Sequence, residues 1–337
     1  MYVKENKNKS LGIYNLIYQN KIDKSIKRVL NDKIDYNIYT SPKGLKELRQ
    51  KISDFLNETQ NQEISYNDIM ITNGSQQSLN LIAYSLLNEG DTVLIEQPTY
   101  FGVLEVFRNR KINLIGINLQ KDGLDLEDLE KKIKIYNPKI IYVTPTFNNP
   151  TGIAWSNNKR IQFLKIINRY NVLIIEDDPY YLINFTNETY ESLYKLNNKK
   201  NIIYLGTFSK IISPSIKVGY IISNIEIINK MYKYKKSFDL CTSAFIQYVV
   251  LDYLKNNDIQ KIINNKIKKY KEFLNLSKEQ LKENNNIISF SEPKGGIYFL
   301  VKFKEKIDER IYENGNNYYI DENHENETRI NICNLLK

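Results

Sequence analysis

Short apolar runs recur along the chain, and a stretch with helical spacing follows most of them. Ile69–Thr72, Thr92–Glu96, Asn113–Asn118, Ile140–Thr144, Val172–Glu176, Ile202–Thr207 and Val218–Ile222 read as strands. Several are rich in Ile and Val without alternation, the pattern of strands covered on both faces. Within Ser75–Glu89, Leu79, Ile82, Ala83, Leu86 and Leu87 make one helical stripe. Asp125–Tyr136 and Asn157–Tyr170 repeat that pattern, and Ser156 is placed to cap the second.

This alternation predicts an α/β fold: a mostly parallel central sheet with helices on both faces, running from about Leu45 to Ser223. Two long helical stretches follow, Glu226–Asn256 and Ile259–Asn284, then a β-rich tail from Ile287 to Cys333. The first forty residues show only weak periodicity. The expected division is an N-terminal arm (1–44) belonging to the small domain, a large domain (45–225) and an abbreviated α+β C-terminal domain (226–337).

With 42% hydrophobic residues in 337, the chain can bury a sizeable core. No apolar run reaches membrane-spanning length, and "MYVKENKNKS" lacks the apolar centre of a signal peptide. Cys241 and Cys333 have no ligand spacing. These features predict a reduced, cytoplasmic protein without a membrane partner. A net charge of +9 raises nucleic acid as a partner, but the lysines are interspersed with Asn, Ile, Tyr and acidic residues, which argues against a binding stripe. The basic "KMYKYKKSF", Lys230 to Phe238, reads as a helix surface. His324, in "DENHENETR", reads as solvated, and "HENET" lacks the second histidine of a zinc site, so no metal is expected. Neither a P-loop nor GxGxxG is present, and Trp155 reads as local packing.

The unusual polar residues gather at the carboxyl ends of the strands, where open α/β sheets bind ligands. "TNGSQQS" (Thr72–Ser78) follows the first strand, "EQPTYFG" (Glu96–Gly102) the second and "TPTFNNPTG" (Thr144–Gly152) the fourth. "EDDPYY" (Glu176–Tyr181) ends the fifth and "TFSK" (Thr207–Lys210) the sixth. Each has a plain reading alone: a helix cap, a turn, a solvated acidic loop, a surface lysine. The alternative for the first is an anion cradle on the Ser75 and Gln76 amides. Five separated segments meeting at one crevice carry more than any single motif.

As a set, "NGSQQSLNLI", "GDTVLIEQPTYFG", "PTFNNPTG", "EDDPYY" and "GTFSKIISPSIKVGY" resemble the fold-type I aminotransferases, which use pyridoxal 5′-phosphate (PLP). The order and spacing are similar to the 2-aminoadipate/kynurenine aminotransferase branch, and also to the aminotransferase-like domain of MocR-type regulators. The resemblance implies that Lys210 bonds covalently to the cofactor aldehyde. It implies that Asp177 pairs with the ring nitrogen, with Asp178 as the alternative. Asn149 and Tyr180 would donate to the ring oxygen, and Tyr100 would stack on the ring. Ser75, Gln76, Thr207, Ser209 and Lys217 would hold the phosphate, and Tyr39 would reach the phosphate of a neighbouring subunit in a homodimer. Arg329 would grip the substrate carboxylate, and Gly12, in "SLGIYN", would lie in an arm over the substrate.

Three features depart from the family pattern. Lys217 stands where relatives carry arginine, which keeps the charge but loses the two-pronged phosphate contact. The arm is short, so a plain loop competes with the closing arm at Ser10–Asn15. The segment between Phe303 and Thr328 is compressed, and the chain reaches Lys337 without the final helix that the family would lead one to expect. The implied activity is transamination between an amino acid and a 2-oxo acid. The alternatives are a PLP-dependent lyase or decarboxylase on the same fold, and a non-catalytic ligand-sensing module.

Overall fold

The structure, a computed structural model, describes residues 10–35, 37, 39–321 and 323–333, with side chains from residue 19 onward. The helices among the described residues are α1 (Ser10–Asn31), α2 (Lys46–Gln60), α3 (Ser75–Leu86), α4 (Phe101–Asn109), α5 (Leu126–Tyr136), α6 (Asn157–Tyr170), α7 (Leu193–Leu196), α8 (Ile225–Asp239), α9 (Ala244–Asn256) and α10 (Ile259–Glu283). The strands are β1 (Ile69–Thr72), β2 (Thr92–Gln97), β3 (Asn113–Gln120), β4 (Gly123–Leu124), β5 (Ile140–Val143), β6 (Leu173–Asp177), β7 (Ile202–Thr207), β8 (Gly219–Ile222), β9 (Ile287–Phe290), β10 (Tyr298–Phe303) and β11 (Glu327–Asn331).

β1 to β8 form one sheet in the order β1-β8-β7-β6-β5-β2-β3-β4. From β7 to β3 every pairing is parallel, whereas β8 is antiparallel to both neighbours and β3–β4 is a short hairpin. The expected mostly parallel sheet is therefore present. Every residue of β1, β5, β7 and β8 is buried, which explains their lack of alternation. On one face Met70, Val93, Ile95, Tyr142 and Ile175 pack with Leu79 of α3, Phe107 of α4 and Met231 of α8. On the other, Ile69, Ile71, Leu94, Ile141 and Ile174 pack with residues of α2, α6 and α9 such as Ile52, Phe163 and Val250. Ser156 caps α6 as its position predicted, its hydroxyl accepting from the Lys159 amide at 3.1 Å.

Two expectations change. The weakly periodic N-terminal segment contains α1, and Ser10–Asn15, with Gly12, is helix rather than loop. Ile22 and Val29 of α1 are buried, and the Arg28 guanidinium forks onto Asp252 of α9 at 2.6 and 2.9 Å. The single long helix expected over Glu226–Asn256 is broken between α8 and α9, where Leu240 takes a φ of 60°.

β9, β10 and β11 make a separate antiparallel sheet in the order β11-β10-β9. α10 joins the two sheets. Ile259, Ile262 and Ile263 near its start lie in the large core, and Leu274 and Leu281 near its end pack with Phe299, Val301 and Ile330 of the small sheet. Between β10 and β11 the described chain forms only a 3-10 turn at Gly315–Tyr318, consistent with its compressed length. No helix of the described residues is long and apolar enough to cross a membrane.

Candidate active site

A pocket opens at the carboxyl ends of β1, β2, β5, β6 and β7. Lys210, Asp177, Asn149, Tyr180, Tyr100, Ser75, Gln76, Thr207, Ser209 and Lys217 all line it. The five segments singled out in the sequence thus converge.

The acidic run that closes β6 is not a solvated loop: Glu176, Asp177 and Asp178 are all buried. Strand alternation sends them to different places. Glu176 accepts the Leu193 and Tyr194 amides at the start of α7, each at 2.8 Å. Asp178 accepts from the Tyr204 hydroxyl at 3.0 Å and does not line the pocket. Only Asp177 faces it, as the strand face shared with Ile175 requires. Its Oδ2 accepts from the Tyr142 hydroxyl at 2.8 Å, while its Oδ1 is buried without a donor among the described residues. Burial pushes the Asp177 carboxyl up to about 6, with the Tyr142 hydrogen bond opposing the rise.

Lys210 sits in the turn after β7, its Nζ 5.4 Å from the centre of the Tyr180 ring. The turn is held from behind. The Ile212 amide donates to the Phe208 carbonyl at 2.8 Å, and the Phe208 amide to the Val218 carbonyl at 2.9 Å. Lys266 of α10 donates to the Ile211 carbonyl at 2.5 Å and to that of Lys210 at 3.4 Å. Burial lowers the Lys266 ammonium to about 8.

One end of the pocket gathers helix amides, two hydroxyls and a lysine. Gly74 turns the chain into α3 with a φ of 84°, presenting the first amides of that helix. Gly219 of β8 lets this corner approach closely, since a Cβ there would lie 2.9 Å from Gly74 Cα. The Thr207 hydroxyl donates to the Ser209 oxygen at 3.1 Å. Lys217 lies in the left-handed region with a φ of 51°, after the Pro214–Ile216 turn.

Glu96 at the end of β2 fixes the loop after β5, accepting the Thr144 amide at 2.6 Å and the Asn148 side chain at 2.9 Å. Asn149 beyond it accepts from Arg329 Nη1 at 3.1 Å. Arg329, on β11, is no exposed tail residue: its side chain is 11% exposed. Its guanidinium lies 4.2 Å from the centre of the Tyr298 ring, and its Nη2 donates to Glu313 Oε2 at 3.0 Å. Tyr180 packs edge-on against Tyr298, and burial raises its hydroxyl well above the usual tyrosine range. Tyr100 is pushed up to about 12, by burial first and by the charge of Asp177 second.

Tyr39 lies apart from the pocket and is 81% exposed. Arg329 does not itself line it but bonds Asn149, which does. Gly12 belongs to α1, and its surroundings fall outside the described side chains. His324 is packed rather than solvated: its ring stacks on Tyr319 with centres 3.4 Å apart. No group of residues fit to hold a metal occurs among the described residues. Trp155 is buried and packs edge-on against Phe163 as local structure. Lys235, within the basic stretch of α8, is fully buried and paired with Asp239 at 2.7 Å. Sequence reasoning missed Tyr142, Lys266, Tyr298 and Glu313. Only Tyr142 carried a signal, its strand parity on β5.

The family model for class I and II aminotransferases matches residues 8–335. The chain is 32% identical to aromatic-amino-acid aminotransferase 1 of Thermococcus litoralis over 81% of its length and 67% of the relative's. It is 29% identical to the 2-aminoadipate transaminase of Thermus thermophilus over 80% of its length and 68% of the relative's. It superimposes on the kynurenine aminotransferase of Pyrococcus horikoshii, solved with PMP, at a TM-score of 0.87 and 31% identity, covering 94% of this chain and 82% of that one.

Proposed function

The chain belongs to the class I and II aminotransferases, and from that premise we propose how its own residues carry out PLP-dependent transamination. The observation that carries the assignment of roles is the lone acceptor Asp177 Oδ1, buried without a donor in the pocket that Lys210 also lines. A buried carboxylate oxygen with no partner is costly, and a protonated ring nitrogen is the donor it lacks. The donor set fits the cofactor at three points: an acid for the ring nitrogen, an amine for the carbonyl, and helix amides with hydroxyls and a cation for the phosphate.

When bound, PLP supplies a carbonyl that takes up the amino group and a ring that accepts the electrons left when the Cα–H bond breaks. Asp177 keeps the ring nitrogen charged. A facing cation in turn favours its ionised form, reversing the rise that burial causes. Asn149 spends its oxygen on Arg329, which leaves its amide N–H groups to donate to the ring oxygen beside the Tyr180 hydroxyl. Tyr100 packs on the ring face. The amides of Ser75 and Gln76, the hydroxyls of Thr207 and Ser209, and Lys217 hold the phosphate. Arg329 holds the α-carboxylate of the amino acid, then that of the 2-oxo acid. Lys210, once its amine is free, moves the proton to and from Cα. The donors to screen first are aromatic amino acids, kynurenine and 2-aminoadipate, with 2-oxoglutarate as acceptor.

The active unit in this reading is a homodimer, with Tyr39 reaching the partner's phosphate. Its exposure in one chain supports this. The test is reconstitution with PLP, borohydride reduction and mass analysis. Wild type is expected to carry the cofactor on the peptide containing Lys210, and Lys210→Ala to carry none and to lose roughly a thousandfold or more in turnover. Label on another lysine overturns the assignment.

A further inference from the structure

Resting on the reading of Arg329 as the carboxylate grip, we infer that Glu313 is a built-in occupant of that grip, which every carboxylate substrate must displace. Both outer nitrogens of Arg329 already have partners within the chain. Nη1 donates to Asn149 Oδ1 at 3.1 Å, and Nη2 donates to Glu313 at 3.0 Å to Oε2 and 3.4 Å to Oε1. Glu313 thus presents to the guanidinium the same group that an amino acid or 2-oxo acid would present. The Tyr318 hydroxyl also donates to its Oε2.

The two partners are held very differently. Arg329 lies on a strand, its side chain 11% exposed, with Tyr298, Tyr318 and Phe101 ring centres 4.2, 5.4 and 5.7 Å away. The Glu313 side chain is 51% exposed and sits in a segment with neither helix nor strand. The arginine is fixed and the glutamate can leave without opening a core. An ion pair with one partner half in water is weakly held, so a ligand of matching charge and geometry exchanges for it. Substrate affinity is then the difference between two carboxylates on one guanidinium. Because donor and acceptor both carry the carboxylate, both KM values rise together. Glu313 therefore sets the working concentration range of the enzyme without touching the reacting atoms.

The test compares Glu313→Gln with wild type, both loaded with PLP. Glutamine keeps the shape and an oxygen for Tyr318 but removes the charge. The expected result is a fall of about five- to tenfold in the KM of both donor and acceptor, larger than any change in kcat. That factor corresponds to one charge-assisted hydrogen bond lost from the competing state. Calorimetric titration with 2-oxoglutarate alone, which cannot turn over without a donor, is expected to show the same factor in Kd. An unchanged or weaker Kd overturns the inference. Arg329→Gln separates this from the underlying reading. If it weakens 2-oxoglutarate binding while Glu313→Gln does not strengthen it, only the role of Glu313 fails. If Arg329→Gln leaves binding intact, the carboxylate-grip reading fails and the competition with it.

Discussion

The hydroxyl of Tyr142 donates to Asp177 Oδ2 at 2.8 Å, across adjacent strands and out of contact with water. Among the described residues no other group donates to that carboxylate, and the bond stabilises the charged form that the proposed pairing with a ring nitrogen requires. Tyr142→Phe removes it with little change in volume. Leaving a second buried oxygen without a donor should cost about 1–3 kcal/mol of stability, measurable by denaturant titration. The acid limb of the kcat/KM profile should move to higher pH. An unmoved limb would mean that Asp177 is charged for another reason.

The cofactor-free chain should lose stability as pH rises from about 4 to about 7. Asp177 ionises near 3.8 when unfolded but is pushed up to about 6 by burial, and Glu96 and Glu176 are pushed up to about 7, again by burial. Across that interval these three carboxyls hold more protons in the folded chain than in the unfolded one, so their contribution to the slope of stability against pH is negative. Asp177→Asn removes one contributor, of order 3 kcal/mol. Thermal unfolding of the apo-protein at half-unit steps should show a shallower decline for the variant between pH 4 and 6. Equal slopes would count against burial as the cause.

In the proposed function Lys217 brings a single ammonium to the phosphate, from a left-handed backbone position at the pocket wall. Lys217→Arg keeps the charge and the stem but adds a second prong. Affinity for PLP should improve about three- to tenfold, read by equilibrium dialysis. Unchanged or weaker affinity would show that the lysine does not contact the phosphate.

Much of this molecule was legible before its structure. β1, β7 and α6 begin and end where the apolar runs and the Ser156 cap place them, because full burial on both faces and a side-chain cap leave local marks. The convergence of Lys210, Asp177 and Asn149 was legible for a topological reason: parallel strands deliver their carboxyl ends to one side. α1 was hard to see because its described buried positions, Ile22, Ser25 and Val29, make a thin stripe within a polar sequence, and α9 supplies the rest of its packing. Tyr142 looked like core, and its hydroxyl matters only through a neighbour 35 positions away. Lys266 and Glu313 act across 55 and 16 residues of intervening chain, so only the folded path reveals them. The resemblance favours Asp177 over Asp178, and strand parity turns Asp177 toward the pocket and Asp178 away from it.

α10 is about 37 Å long at 1.5 Å per residue. Lys266, about a third of the way along, donates to the turn of Lys210, and the far end packs on the sheet that bears Arg329. A tilt of about five degrees about Lys266 would sweep the far tip, about 25 Å away, through roughly 2 Å. Any tilt of α10 would therefore shift the strand that carries Arg329 relative to the turn that carries Lys210.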